Sequence, residues 1–338
     1  MRLPTVREGL LSTPVDGRVV CNLCERRCKL PEGFLGFCKT RGNLGGRLYT
    51  LVYGDVSSFS ANSIEKKPFF HFYPGTTALT VGSWGCNFTC PWCQNWEISK
   101  FEANPERANY ISPERLVALA LMEGCRGVSV SFNEPTLLFE YSLDLFKLAK
   151  KAGLYTNYVS NGYMTSEALR MLREAGMDAI KIDVKGDTPA VRRYCGADVD
   201  KVWSRAEEAR GMGLHIEIVT LLIPDVNDAE ASIRAVALKV LEHLGRDTPL
   251  HFSRYWPNYE FTNMSTPVNT IERACEIAKE VGLNYVYVGN IPGHKYENTY
   301  CPGCGELVIE RMGIHLLKNV LTVDKACPRC SLKIPIIS

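Results

Sequence analysis

"TALTVGSWGCNFTCPWCQNW", residues 77–96, joins a short apolar run to a loop that carries three thiols, Cys86, Cys90 and Cys93. Thr77–Gly82 is a bounded run of β-branched and apolar residues and reads as a strand. The loop then opens on Gly85 and packs two tryptophans, Trp92 and Trp96, around the cysteines. A strand that delivers thiols at its C-terminal end places them where the sites of parallel α/β folds are built.

The chain beyond this loop alternates strand-like and helix-like stretches, the sequence form of repeated βα units. "GVSVSF" (127–132), "YTNYVS" (155–160), "DAIKIDV" (178–184), "LHIEIVTLLI" (214–223), "PLHFSR" (249–254) and "NYVYVG" (284–289) read as strands. Between them lie amphipathic stretches beginning at Ser112, Thr136, Thr165, Arg205, Ala229 and Asn269. The first has Ser112 as cap, Pro113 in the first turn and Gly124 past its end. The expectation is an α/β chain in three parts: an N-terminal four-cysteine segment (1–75), a partial (β/α)6-type barrel (76–291) and a C-terminal four-cysteine knuckle pair (292–338). "GMG" at 211–213 lacks a third glycine and a preceding strand, so it is not a nucleotide fingerprint.

Composition sets the class. The chain has 338 residues, is 46% hydrophobic and 22% charged, and carries a net charge of +2, so neither a disordered chain nor a polyanion-binding surface is indicated. No run approaches the roughly 18 apolar residues of a spanning helix, and the opening "MRLPTVREGLLSTP" lacks a continuous apolar stretch. A cytoplasmic protein is expected, and its 14 cysteines then read as metal ligands and buried bystanders rather than disulfides. Cys125, Cys195 and Cys275 stand alone in or near helical stretches and are the bystanders.

The remaining cysteines form three sets. Iron–sulfur cubes take four thiolates, one on each iron, so the three of Cys86, Cys90 and Cys93 leave one iron free for an exogenous ligand. "CPGCG" (301–305) and "CPRC" (327–330) are two metal knuckles, and Cys301, Cys304, Cys327 and Cys330 together supply a tetrahedral site for zinc or iron. "CNLCERRC" with Cys38 supplies Cys21, Cys24, Cys28 and Cys38, a set for either zinc or an auxiliary [4Fe-4S] cluster.

C-x-x-x-C-x-x-C followed by asparagine, "CPWCQN", resembles the signature of the radical S-adenosylmethionine (SAM) superfamily. The further stretches "CNLCERRCKLPEGFLGFC", "EKKPFFHFYPGT", "SFNEPT", "VSNGY", "IDVKG" and "HFSRYWPNY" are similar to the branch of pyruvate formate-lyase activating enzyme, and within it to the AmmeMemoRadiSam-system enzymes. The resemblance implies a [4Fe-4S] cluster on Cys86, Cys90 and Cys93 that binds SAM and cleaves it to a 5′-deoxyadenosyl radical, which abstracts hydrogen from a substrate. It implies SAM contacts at Ser131, Asn133 and Glu134 after the second strand and at Ser160 and Asn161 after the third. Asp183 and Lys185 follow the fourth strand and resemble the Asp-x-Lys pair of glycyl-radical-enzyme activases. Thr220 or Leu222 is expected against the adenine, His251 and Arg254 at the mouth, and Trp92 as a shield for the cluster.

The expected reaction is activase-like, on a glycyl radical protein. The alternatives are direct C–H functionalisation or coupling on a small molecule, lipid or RNA, and a non-catalytic iron–sulfur or zinc electron-transfer or adaptor protein. A ferredoxin or flavodoxin is the expected electron donor.

Overall fold

The computed structural model describes residues 3–338. The chain divides into two compact units, one formed by the residues up to 62 with 77–180, the other by 63–76 with 181–338.

In the first unit, β1 (Thr77–Gly82), β2 (Gly127–Val130) and β3 (Tyr155–Ser160) lie side by side and parallel, with Ala78 and Tyr155 both in register with Gly127. Helices α1 (Pro113–Met122), α2 (Phe139–Lys151) and α3 (Ser166–Glu174) make the connections. The Ser112 hydroxyl caps α1 by accepting from the Arg115 N–H at 3.3 Å, and Gly124 leaves the helix in the left-handed conformation, as the sequence predicts. β2 is buried throughout, because helices cover a parallel sheet on both faces; Leu79, Val81, Val128, Val130 and Phe146 form its core. Each such side chain contributes roughly 1.5–3 kcal/mol. Gly127 is required for that packing, since a Cβ there would stand 2.0 Å from the Tyr155 ring.

Residues 7–50 were legible only as part of a cysteine-bearing segment, and they form two small antiparallel sheets. Arg47–Thr50 lies between Arg7–Glu8 and Arg41–Leu44, and Arg18–Cys21 lies between Ser12–Val15 and Lys29–Leu30. A buried bidentate ion pair ties this segment to α2: Arg41 Nη1 and Nη2 donate to Glu140 at 2.8 and 2.7 Å.

β4 (Ala179–Asp183) stands at the division between the units. In the second unit, β5 (His215–Leu222), β6 (Leu250–Arg254) and β7 (Val286–Gly289) are again parallel and adjacent. Helices α4 (Val199–Gly211), α5 (Glu230–Leu244) and α6 (Val268–Val281) complete the repeats. The C-terminal strands Thr299–Tyr300, Leu307–Met312 and His315–Asn319 form an antiparallel sheet whose Val308 and Ile309 pack with Cys301, Cys327, Phe70 and Tyr287. Among the described residues, no helix is long and apolar enough to cross a membrane.

Candidate active site

β1 delivers the three-cysteine loop as its position predicts, and two neighbouring strand ends hold the loop in shape. Asn133, after β2, accepts from the Ser83 N–H at 3.0 Å and donates through Nδ2 to the carbonyls of Trp84 and Gly85 at 3.0 and 2.9 Å. Its amide is thus spent on the loop backbone. Phe132, just before it, adopts φ 71°, a left-handed conformation that a glycine takes freely. Asn95 donates to the Phe132 carbonyl, closing the loop from its far side.

Gly85 itself has φ 78°, and a Cβ there would stand 2.5 Å from the Cys38 carbonyl oxygen. Cys90 and Trp92 are buried, while Cys86 and Cys93 are partly exposed. The Phe88 N–H points at Cys86 Sγ at 3.4 Å, and Cys93 Sγ lies 3.1 Å from the Ser99 hydroxyl. Although Cys86 is partly exposed as a residue, desolvation of its sulfur raises the thiol above its ordinary range, and the nearby Glu134 carboxylate adds to the shift. A metal that replaces the proton removes that cost, so this donor set fits a cluster.

Glu134, Ser160 and Asn161 meet. The Glu134 carboxylate is buried and accepts from the Thr136 N–H and hydroxyl at 3.0 and 2.5 Å, from the Ser160 hydroxyl at 2.8 Å and from the Asn161 N–H at 2.9 Å. Burial raises its proton affinity, with these four donors opposing. Asn161 Nδ2 then donates to Asn87 Oδ1 at 2.7 Å, which joins the end of β3 to the loop residue after Cys86. Asn87 was missed by sequence reasoning, although it lies inside the motif. Ser131 is buried, its N–H donating to the Val81 carbonyl at 2.9 Å.

In the second unit, Asp183 sits between two lysines. Lys181 Nζ approaches it at 2.6 Å and Lys185 Nζ at 3.5 Å. Burial would raise the Asp183 pKa, but Lys181 and then Lys185 outweigh it and hold the carboxyl below its usual range. Lys181 was the unrecognised partner, two residues before Asp183 on the same strand face. His251 Nε2 is bonded to Glu217 at 2.7 Å and is 1% exposed, and Arg254 Nε donates to the Thr266 carbonyl at 2.8 Å. Glu217, also missed, is the hub here: it further accepts from the Phe70 and His71 N–H groups at 3.0 and 2.8 Å, and His215 Nε2 lies 3.0 Å from it. Thr220 and Leu222 are buried on β5.

The four C-terminal sulfurs gather as the knuckles predict. All lie within 4.8 Å of one another, with Cys301–Cys330 at 3.4 Å and Cys304–Cys327 at 3.6 Å. A tetrahedron of thiolates about 2.3 Å from one ion has edges of about 3.8 Å, so the set fits a single metal ion. Each knuckle is closed by an N–H to carbonyl bond of 2.9 Å, from Gly305 to Cys301 and from Ser331 to Cys327. Backbone N–H groups of Cys330 and Arg329, with the neighbouring Cys304 and Cys301 thiols, outweigh burial and lower the Cys327 thiol toward the thiolate form that binds metal, while Cys301 and Cys304 are shifted up. Among the described residues, no other set of three or more metal-binding side chains is gathered this closely.

With this geometry stands a match of residues 82–235 to the model of the radical SAM superfamily. Residues 82–235 are a radical SAM superfamily domain. It is 40% identical over 324 residues to the protein MJ0808 of Methanocaldococcus jannaschii, covering 95% of this chain and 96% of that one. A shorter likeness, 31% over 134 residues, links it to a probable GTP 3′,8-cyclase of Sulfolobus acidocaldarius, covering 38% of this chain and 41% of that protein. Its fold is similar to that of a radical SAM methyltransferase from Sphaerobacter thermophilus, with a TM-score of 0.51, 15% identity, and coverage of 65% and 68% of the two chains. Membership in the superfamily implies a [4Fe-4S] cluster and SAM, and the loop of Cys86, Cys90 and Cys93 lies inside the matched range.

Proposed function

We propose that this chain is a radical SAM enzyme whose cluster is held by Cys86, Cys90 and Cys93. The single observation that carries the reading is the odd set of three thiols on a loop fixed from both sides, by Asn133 on its backbone and by Asn161 on Asn87. When bound, the cluster and SAM supply a 5′-deoxyadenosyl radical for hydrogen abstraction.

The protein's own part is position and polarity. Asn133 holds Ser83–Gly85 so that the loop keeps one conformation, and Trp92 excludes water from its inner side. The Glu134 carboxylate, kept in place by Ser160, Asn161 and Thr136, is the acceptor proposed for the SAM ammonium, with Ser131, Ser160 and Asn161 beside it in sequence position for the carboxylate and ribose. Asp183 and Lys185, with Lys181 orienting Asp183, are proposed as a further functional pair at the end of β4. His251 and Arg254 act from their bonds to Glu217 and Thr266 as supports of the mouth.

An activase-like reaction on a glycyl radical protein, driven by a ferredoxin or flavodoxin, is the substrate reading that the Asp183–Lys185 pair supports. Direct action on a small molecule is supported by the partial likeness to the probable GTP 3′,8-cyclase. The C-terminal set is proposed to hold structural zinc. The test is spectroscopic: the reduced, reconstituted protein should show an iron–sulfur EPR signal that changes when SAM is added. A signal indifferent to SAM would leave only the electron-transfer or adaptor function.

A further inference from the structure

The three cysteine sets differ in spacing, and the difference assigns the N-terminal one. The C-terminal sulfurs are drawn together within 4.8 Å, close enough for one ion. Cys21, Cys24, Cys28 and Cys38 are not gathered in that way; all four line one shared cavity. A cube of iron and sulfide puts each thiolate on a different corner, so its ligands stand farther apart and leave room between them.

The cavity wall carries two buried donors with nothing to donate to. Arg41 is 1% exposed and Asn87 is fully buried, and both line the cavity. Arg41 spends Nη1 and Nη2 on Glu140 and the Leu10 carbonyl, yet its Nε–H has no partner. Asn87 uses Oδ1 to accept from Asn161 and its carbonyl to accept from Arg26 Nε at 2.9 Å, yet Nδ2 has no partner. Leaving such a donor unsatisfied costs about 1–3 kcal/mol, so two of them on one wall point to acceptors inside. Leu23 and Leu137, both buried, also line the cavity.

We propose that Cys21, Cys24, Cys28 and Cys38 hold a second [4Fe-4S] cluster rather than a single ion, with Arg41 Nε–H and Asn87 Nδ2–H donating hydrogen bonds to its sulfur atoms. The site is closed, with four protein thiolates, and it lies against the three-cysteine loop through Gly85 and Asn87. It needs no SAM chemistry and stands apart from the proposed reaction.

The test uses the full chain carrying Cys86→Ala, Cys90→Ala and Cys93→Ala together, reconstituted anaerobically with iron and sulfide. About four iron and four sulfide per chain should remain, with the Mössbauer spectrum of a cubane cluster. Zinc in their place, or iron without sulfide, overturns the proposal. If that variant does not fold, the wild-type chain should bind about eight iron and eight sulfide, and a plateau near four overturns it. Adding Asn87→Leu should lower the midpoint potential of the remaining cluster at unchanged iron content, because a donor to sulfur stabilises the reduced form. An unmoved potential removes Asn87 from the site.

Discussion

Asn161 Nδ2 donates to Asn87 Oδ1 at 2.7 Å, and through that one bond the end of β3 sets the conformation of the residue that follows Cys86. The same Asn161 gives its backbone N–H to Glu134 and accepts from the Tyr163 N–H at 3.0 Å. One residue therefore couples the cysteine loop and the turn after β3, through its side chain, to the buried carboxylate, through its backbone.

Replacing Asn161 with alanine removes the bonds to Asn87 and Tyr163 and spares the one to Glu134. Changes of this kind behind metal ligands cost about 10–100-fold, so 5′-deoxyadenosine formation should fall by that factor while cluster iron is retained. Chromatographic quantitation of deoxyadenosine beside an iron assay checks it; an unchanged rate would make Asn161 a turn residue only.

Glu140→Ala should destabilise the first unit by about 3–5 kcal/mol, because it leaves the Arg41 guanidinium buried without its carboxylate. Urea denaturation followed by circular dichroism measures this. A loss comparable with that of a surface pair such as Arg47–Glu8 would contradict the burial argument.

Stability should fall on acidification through His71. Its ring is fully buried, Nδ1 lies 3.1 Å from the Pro335 carbonyl and Nε2 2.6 Å from the Tyr287 hydroxyl, an arrangement that suits the neutral ring with its proton on Nδ1. Burial lowers its pKa from 6.5 to about 3, against the pull of Glu217. The unfolded chain thus binds the extra proton first, so the stabilisation is complete above 6.5 and is lost as pH falls toward about 3. Between pH 7 and 5 this amounts to about 2 kcal/mol, and His71→Gln should flatten that part of the profile. The depressed Glu217 acts in the same direction, below its ordinary value of 4.5.

What could be read in advance follows the range of the interactions. β1 to β7 and their helices were legible because periodicity, caps such as Ser112 and stops such as Gly124 are local signals. The cysteine loop was legible for the same reason, its three thiols lying within one turn of chain. The partners of the site residues were not: Glu217 meets His71 from 146 positions away, and Glu140 meets Arg41 from 99, with no pattern in the intervening chain to announce either. The small N-terminal sheets escaped notice because Ser12–Val15 is exposed along its whole length and shows no alternation.

The central claim is that Cys86, Cys90 and Cys93 hold a cluster that cleaves SAM. Its most direct measurement is 5′-deoxyadenosine released from SAM by the reduced, reconstituted chain, compared with the Cys86→Ala, Cys90→Ala, Cys93→Ala variant. The account predicts deoxyadenosine from the native loop and none from the variant, while the C-terminal set keeps its metal. Deoxyadenosine formed equally by both, or by neither, would contradict it.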